Sequence, residues 1–461
     1  MQPAHMTPTE RRSTISLSTI MGLRMIGLFM VLPVFSLYAS SLSGATPMLI
    51  GLAMGVYGLS QAIFQITFGV LSDRIGRKPV ILTSLIIFAA GSLLAGSAHS
   101  INMMIAGRTL QGIGAVGSTI LALMADLTRE EQRTKAMMVV GMTIGASFSI
   151  AMFLGPVLTK WITVGELFYL AAALAVFAAV ILYTNVPTPI KLSWHRDTEP
   201  EFTSFMRLLF EPQLARLNIG IFILHAIFTA SFVVIPIALH QTTGLDTSRQ
   251  WEIYLPALLI ALVISMTGIG FAERKQKIKQ FFLGGVLTIV IAEFMLLAGL
   301  HNILLAIACI GLFFAGFTLL EAFLPSLISR TAPASCKGSA MGLYSCAQYS
   351  GIFAGGVLGG WLYGKYHFSG VYLFCIALAL FWFILILWMR QPRYLITQIM
   401  RLDPARQSSW KELTAKLQQI PGIVEVTLIT EDKLAYLKME RNTIQNPDFI
   451  HLKEQLQSSN S

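Results

Sequence analysis

Five ionisable residues sit inside otherwise apolar stretches of the chain: Arg24, Arg108, His225, Glu293 and Glu321. A charge in such a place is costly unless it is paired, hydrated or used, so each is a candidate for handling protons or holding a charged solute group. Glu321 loses a charge when it takes up a proton, whereas His225, an imidazole with an ordinary value of about 6.5, gains one. Arg24 and Arg108 keep their charge. Arg24 can therefore bind an anionic group or pair with a carboxylate, and Arg108 can also set the field around a proton site. Glu293 reads more readily as a satisfied buried polar residue than as a proton site. Cys309, Cys336, Cys346 and Cys375 show no CxxC or pairing spacing, so neither a metal site nor a disulfide framework is expected. With no nucleophile–base pair and no phosphate loop, neither catalysis nor a bound cofactor is expected.

The elements that must position these groups are apolar blocks. Hydrophobic residues make up 55% of the 461, charged residues only 12%, and the mean hydropathy is +0.68. That charged share is roughly half of what a soluble domain carries. Blocks of about 20 residues recur, each long enough to cross a hydrocarbon core of ~30 Å as a helix. Bounded by charges and by Gly, Pro or Asn, they predict helices at about 15–39, 48–70, 80–98, 102–125, 136–158, 167–186, 217–239, 254–272, 281–300, 303–328, 339–363 and 371–389. The first block is too long for a signal-peptide core and is read as a retained helix.

The connecting segments alternate. One set is rich in Lys and Arg, and the other holds only Lys160, Arg249 and Lys365. By the positive-inside rule both termini and the basic loops face the cytoplasm. This placement also accounts for the net charge of +10 without nucleic acid as a partner. The expectation is an all-α membrane protein of twelve spans: residues 1–186 as one six-helix half, 187–215 as a cytoplasmic linker, 216–390 as the second half, and 391–461 as a cytoplasmic tail. Faint self-similarity supports the two halves, with Asp73, Arg74 and Arg77 reappearing as Glu273, Arg274 and Lys277.

The most specific run is Gly69-Val-Leu-Ser-Asp73-Arg74-Ile-Gly76-Arg77-Lys78, between the second and third predicted helices. Gly69 permits close helix approach, Gly76 permits a turn with positive φ, and Asp73 can accept from Arg77. Asp126, at the end of the fourth helix, is placed to join them. The run resembles the signature of the major facilitator superfamily, which implies twelve helices in two halves and a conformational latch formed by Gly69, Asp73, Arg74, Gly76, Arg77, Lys78 and Asp126. Ordinary topology-setting charge remains the alternative.

Arg108-Thr-Leu-Gln111-Gly112-Ile-Gly114-Ala-Val-Gly117 formally matches a dinucleotide fingerprint, but no strand precedes it and the run lies within an apolar span. It resembles the superfamily's RxxQG motif instead. Gly145, Gly155 and Pro156 in the fifth helix resemble the glycine–proline motif of drug:proton antiporters. The match is incomplete, since Ala151, Thr159 and Lys160 stand where glycines are usual. A proline kink with glycine packing is the alternative.

Past Arg390 the pattern changes to β-α-β-β-α, close to a ferredoxin-like unit with one strand short. Around Ile420-Pro-Gly-Ile-Val424 it resembles heavy-metal-associated domains, yet the tail holds no cysteine, which favours a regulatory, dimerising or stabilising module. Taken together, the resemblance implies a proton-driven exporter of small organic solutes in a bacterial inner membrane. Its partners would be the lipid bilayer, protons and the solute, with the tail available for self-association. A proton-coupled uptake symporter and a non-transporting sensor signalling through the tail are the rival expectations.

Overall fold

The computed structural model describes residues 5–114, 116–188, 208–300, 302–333, 336–389 and, in the tail, 395–401, 414, 417–429, 434–440, 443, 446–447 and 449–450. It is mostly helical. The helices are α1 (Pro8–Phe29), α2 (Leu32–Ala39), α3 (Pro47–Ile75), α4 (Arg77–Gly96), α5 (Ile101–Ile113), α6 (Gly117–Asp126), α7 (Glu130–Leu158), α8 (Val164–Asn185), α9 (Pro212–Thr243), α10 (Trp251–Arg274), α11 (Ile278–Ala298), α12 (Ile303–Thr331) and α13 (Lys337–Leu387). The blocks at 15–39 and 102–125 are each split in two, at Met30–Val31 and at Gly114–Val116. The blocks at 339–363 and 371–389 run together as α13, which turns at His367, where φ is +55°.

Local chemistry starts many of these helices. Thr7 with Glu10, and Thr163 with Glu166, form reciprocal capping boxes, and Thr46, Ser100 and Asn302 each accept from a backbone amide three residues on. Gly244, in left-handed conformation, closes α9. Among the described residues ten helical segments are long and apolar enough to cross a membrane. Their outer faces carry exposed Ile86, Val176, Val263, Met266, Leu287 and Phe294, while Leu85, Phe168, Phe232, Phe282 and Phe313 fill the interior. Apolar groups on both sides suit a bundle solvated by lipid rather than water.

Neighbouring helices pack as two groups. In one, α1 lies against α7 and α8, α4 against α5 and α8, and α3 against α5; in the other, α9 lies against α13, α10 and α11 against α12, and α11 against α13. The groups meet along α3 and α13, whose crossing is made of main chain: a Cβ on Gly51 or Gly55 would run into Gly356 and Phe353, and one on Gly360 into Pro47 and Gly51. Gly58 faces Tyr349 and Ile352, and the Cys346 thiol donates to the Ala62 carbonyl at 3.6 Å. Beyond Ala62 the helices part: Ile63, Ile66, Val70 and Ile75 are exposed, and Gly338 and Gly342 face open space.

The other contacts between the groups lie at the middle or at the opposite end. Ser36 donates to the Phe232 carbonyl at 3.3 Å, Phe148 packs among Phe228, Phe314 and Phe317, and Trp251 receives the Phe153 ring edge-on and the Lys160 ammonium over its face. The bundle is therefore closed at the end that begins α3 and open at the end that carries the α3–α4 turn.

In the tail, β1 (Leu395–Arg401), β2 (Ile423–Ile429) and β3 (Leu434–Glu440) form an antiparallel sheet in the order β1-β3-β2. Met400, Leu417, Ile420, Ala435, Leu437, Met439 and Phe449 make its small core. The alternation of Ala435, Leu437 and Met439 is the period-two face of a half-buried strand. Most of the first helix predicted in the tail lies outside the described residues, as does most of the linker and of the last predicted helix.

Candidate functional site

Two polar clusters occupy the middle of the bundle, one in each group. In the first, Arg24 is fully buried, and its Nη2 donates to Tyr57 Oη at 3.0 Å, to Gln61 Oε1 at 3.2 Å and to the Gly114 carbonyl at 3.4 Å. The break between α5 and α6 is what frees that carbonyl for a side-chain donor. No other residue suits the break, since a Cβ on Gly114 would lie 2.6 Å from the Ser84 carbonyl and 2.8 Å from the Phe88 amide nitrogen. Arg108, also buried, donates from Nη1 to Gln111 Oε1 at 2.8 Å, and Gln111 in turn donates to Ser92 Oγ at 2.7 Å. The two arginines share Tyr57, whose hydroxyl accepts from Arg24 while its ring lies 5.0 Å beneath the Arg108 guanidinium. Among the described residues neither arginine has a carboxylate partner.

The second cluster joins α9, α12 and α13. Gln348 Nε2 lies 3.0 Å from His225 Nε2 and 3.1 Å from Glu321 Oε1. His225 Nδ1 is 3.3 Å from the Ile221 carbonyl, one helical turn back. A carbonyl only accepts, so Nδ1 carries the hydrogen and Nε2 is the acceptor for the Gln348 amide. The imidazole is thereby neutral. Glu321 Oε2 is 3.9 Å from His225 Nε2 and has no hydrogen-bond partner. The His225 side chain is 9% exposed and that of Glu321 36%, with Glu321 Oε2 itself shielded from solvent. The rings of Phe317 and Phe228, 5.5 and 6.3 Å from the imidazole, wall the site, and Phe148 from the first group closes against them.

Tyr349 connects the clusters, standing in the electrostatic reach of both Arg24 and Glu321 at the α3–α13 crossing. Glu293 belongs elsewhere. It is fully buried among α9, α11 and the last part of α13, accepts from Ser231 Oγ at 2.7 Å and shares no hydrogen-bond partner with Glu321.

At the open end, Arg77 pairs with Asp73 one turn back, donates from Nε to Asp126 Oδ2 at 3.2 Å and from Nη1 to Ser72 Oγ at 2.7 Å. Gly76 holds φ +100°, a conformation that side chains disfavour. Arg74 and Asp73 are exposed, and Lys78 donates to the Val186 carbonyl at 2.7 Å, tying α4 to the end of α8. A Cβ on Gly69 would meet only Ser118 Oγ, at an ordinary contact distance of 3.9 Å, so the close helix approach expected at this glycine is not made here. Glu273 and Arg330, 3.9 Å apart, link the ends of α10 and α12 much as Arg77 and Asp126 link α4 and α6. In α7, Gly155 packs directly on the Met30 carbonyl at the α1–α2 break, Pro156 lies within the helix, and Gly145 faces open space.

Sequence reasoning missed Gln348, Tyr57 and Gln61, because a search for charges passes over amides and hydroxyls. A polar residue that recurs inside an apolar block is the signal that finds them. It also missed the pair between Glu10 and Arg129, in which Glu10 accepts from Arg129 Nε at 2.9 Å and Nη2 at 3.0 Å.

The Major Facilitator Superfamily model matches residues 17–356 and 277–424. The chain is 42% identical over 441 residues to the inner membrane transport protein YajR of Escherichia coli (strain K12), covering 95% of this chain and 96% of that one. It is 35% identical over 347 residues to an uncharacterized transporter of Buchnera aphidicola subsp. Acyrthosiphon pisum, covering 75% and 89%. Among solved structures, a bacterial homolog of the human lysosomal transporter Spinster, in an inward-facing and occupied conformation, superposes with a TM-score of 0.68 at 15% identity, over 83% of this chain and 96% of that one. A mostly helical fold of this kind, matched by the family model over most of its length, places the chain in the major facilitator superfamily of multi-pass membrane transporters.

Proposed function

We propose that the chain is a proton-coupled exporter of small organic solutes that works by alternating access, with twelve crossings in two six-helix halves and a ferredoxin-like tail in the cytoplasm. The open end carries the Lys- and Arg-rich loops, so it is read as the cytoplasmic end and the conformation as inward-facing. The α3–α4 turn serves as the latch: Arg77 holds Asp73 and Asp126 within one half here and would be redistributed when the cytoplasmic end closes.

The observation that carries the proton reading is Glu321. It is a carboxyl at the middle of the bundle, on a side chain 36% exposed, with one oxygen buried and unpartnered and the aromatic cluster shared by both halves beside it. Moving a proton through 100 mV releases about 2.3 kcal/mol, so one such group alternately exposed suffices to couple the gradient to a solute. Phe148, Phe228 and Phe317 offer the apolar wall that an amphipathic organic solute needs.

Purified protein in everted vesicles with an imposed pH gradient tests the reading. Glu321→Gln is expected to retain solute exchange and lose uphill movement. Retained accumulation in Glu321→Gln, with loss in His225→Gln, would move the coupling site to the imidazole. Solute movement in the same direction as the proton would make the protein a symporter.

A further inference from the structure

We infer that Gln348 is a positioning residue that makes proton uptake by His225 conditional on prior protonation of Glu321, a reading that rests on the proton-coupled function proposed above. One atom of its amide serves both groups: Nε2 lies 3.0 Å from His225 Nε2 and 3.1 Å from Glu321 Oε1. An amide nitrogen only donates, so both partners must present lone pairs. The Ile221 carbonyl fixes the other side of the ring by accepting from Nδ1. As long as this arrangement stands, His225 has no lone pair free for a proton.

Glu321 does have one. Its Oε2 is unpartnered and shielded from solvent, and a proton placed there, taken up through the exposed part of the side chain, leaves both Gln348 bonds intact. A second proton on His225 Nε2 would point an N–H at the amide nitrogen. The amide must then rotate half a turn and present its oxygen to His225. That rotation also turns the oxygen toward Glu321 Oε1, where two facing acceptors repel unless the carboxyl already carries its proton and shifts it to Oε1. Glu321 therefore loads first and His225 second, each proton being supplied by water.

The groups around the pair support this order. Tyr344 and Tyr349 on α13 stand in the electrostatic reach of Glu321, with Tyr57 and Arg24 on the far side of Tyr349 and Cys346 bonded to the Ala62 carbonyl. Phe228 and Phe317 cover the remaining faces of the imidazole. Among the described residues no carboxylate other than Glu321 approaches His225 and no fixed cation hydrogen-bonds Glu321, so the amide is the polar link between them. Gln348 also stands next to Tyr349 in the crossing that closes the outer end, so its rotation reaches the surface on which the halves move.

The test is nitrogen-15 NMR of histidine-labelled, full-length protein in lipid nanodiscs, the His225 signals being assigned by their loss in His225→Gln. Wild-type His225 is expected as the neutral tautomer with hydrogen on Nδ1, and its titration midpoint is expected to move when Glu321 is replaced by Gln. In Gln348→Met, which keeps length and removes both bonds, the tautomer with hydrogen on Nε2 is expected to appear. The shift produced by Glu321→Gln is expected to vanish in that background. Gln348→Asn, one methylene too short to serve both groups, is expected to behave likewise and stands in if the Met variant does not fold. An unchanged tautomer and an unchanged Glu321-dependent shift in both variants would overturn the assignment. The readout needs no transport, so uphill movement surviving in Glu321→Gln would refute the coupling role of Glu321 and leave the Gln348 result to be judged by itself.

Discussion

Replacing Gly55 by Ala should bias the transporter toward the state in which the end bearing the α3–α4 turn is closed. A Cβ on Gly55 would lie 2.8 Å from the Phe353 carbonyl oxygen and 3.1 Å from Phe353 Cα, with the Ile352 carbonyl at 3.2 Å. All three neighbours are main chain, so no flexible side-chain end can yield and the helices themselves must separate. Overpacking of this kind costs about 1–3 kcal/mol. The gain in helix propensity from Gly to Ala, at most about 1 kcal/mol, applies to α3 in either state and cancels from the ratio. The clash is specific to the conformation in which α3 and α13 are pressed together here. The ratio of open to closed forms should therefore fall by roughly 5- to 150-fold.

Spin labels at Ile75→Cys and Gly338→Cys, in a background with Cys336 and Cys346 replaced by Ser, report the separation of the two helix ends, and pulsed dipolar spectroscopy counts the short-distance population. Gly141→Ala and Gly145→Ala are matched controls, since both glycines face open space. A population within two-fold of wild type in folded Gly55→Ala protein would refute the reasoning.

Tyr57→Phe removes the hydroxyl that accepts from Arg24 and keeps the ring under Arg108, so it should lower stability by about 1.5–3 kcal/mol, read as the thermal midpoint in detergent, and by more than Gln65→Leu does. Glu10→Gln breaks the two-pronged pair with Arg129 and should cost about 1–3 kcal/mol in the same assay, with the difference reduced at high salt only slightly because Glu10 is buried. Arg77→Ala releases Asp73, Asp126 and Ser72 together; it should leave the protein inserted, lower transport and change side-specific thiol accessibility. Deleting residues after Asp403 should leave the helical region inserted with basal transport measurable, and loss of all activity in inserted, folded protein would argue against a modular tail.

The helical region was legible because a hydrocarbon solvent imposes a length and a composition on anything that crosses it, and runs of that length are visible without any tertiary knowledge. Charges stood out for the same reason. The breaks at Gly114–Val116 and Met30–Val31 were not legible, because a glycine in an apolar run signals close packing as readily as a broken hydrogen-bond ladder. Only the Arg24 guanidinium seeking an acceptor shows which is meant at Gly114. Gln348 was invisible for a different reason. Its role depends on one atom being equidistant from two partners on α9 and α12, and a sequence offset of 123 or 27 residues carries no trace of that. Glu293 was grouped with Glu321 on charge alone; depth in sequence does not say which side of its helix a carboxyl occupies.

The crossing of α3 and α13 is main chain against main chain, with glycine supplying the approach. A seal of that kind does not depend on which side chains line the space behind it. If Phe148, Phe228 and Phe317 line the path of the solute as proposed, the main-chain approach of α3 to α13 is set independently of their chemistry, while Phe148 adds a side-chain contact of its own between the groups. On that reading, cargo preference and the α3–α13 approach are separately adjustable properties of one molecule.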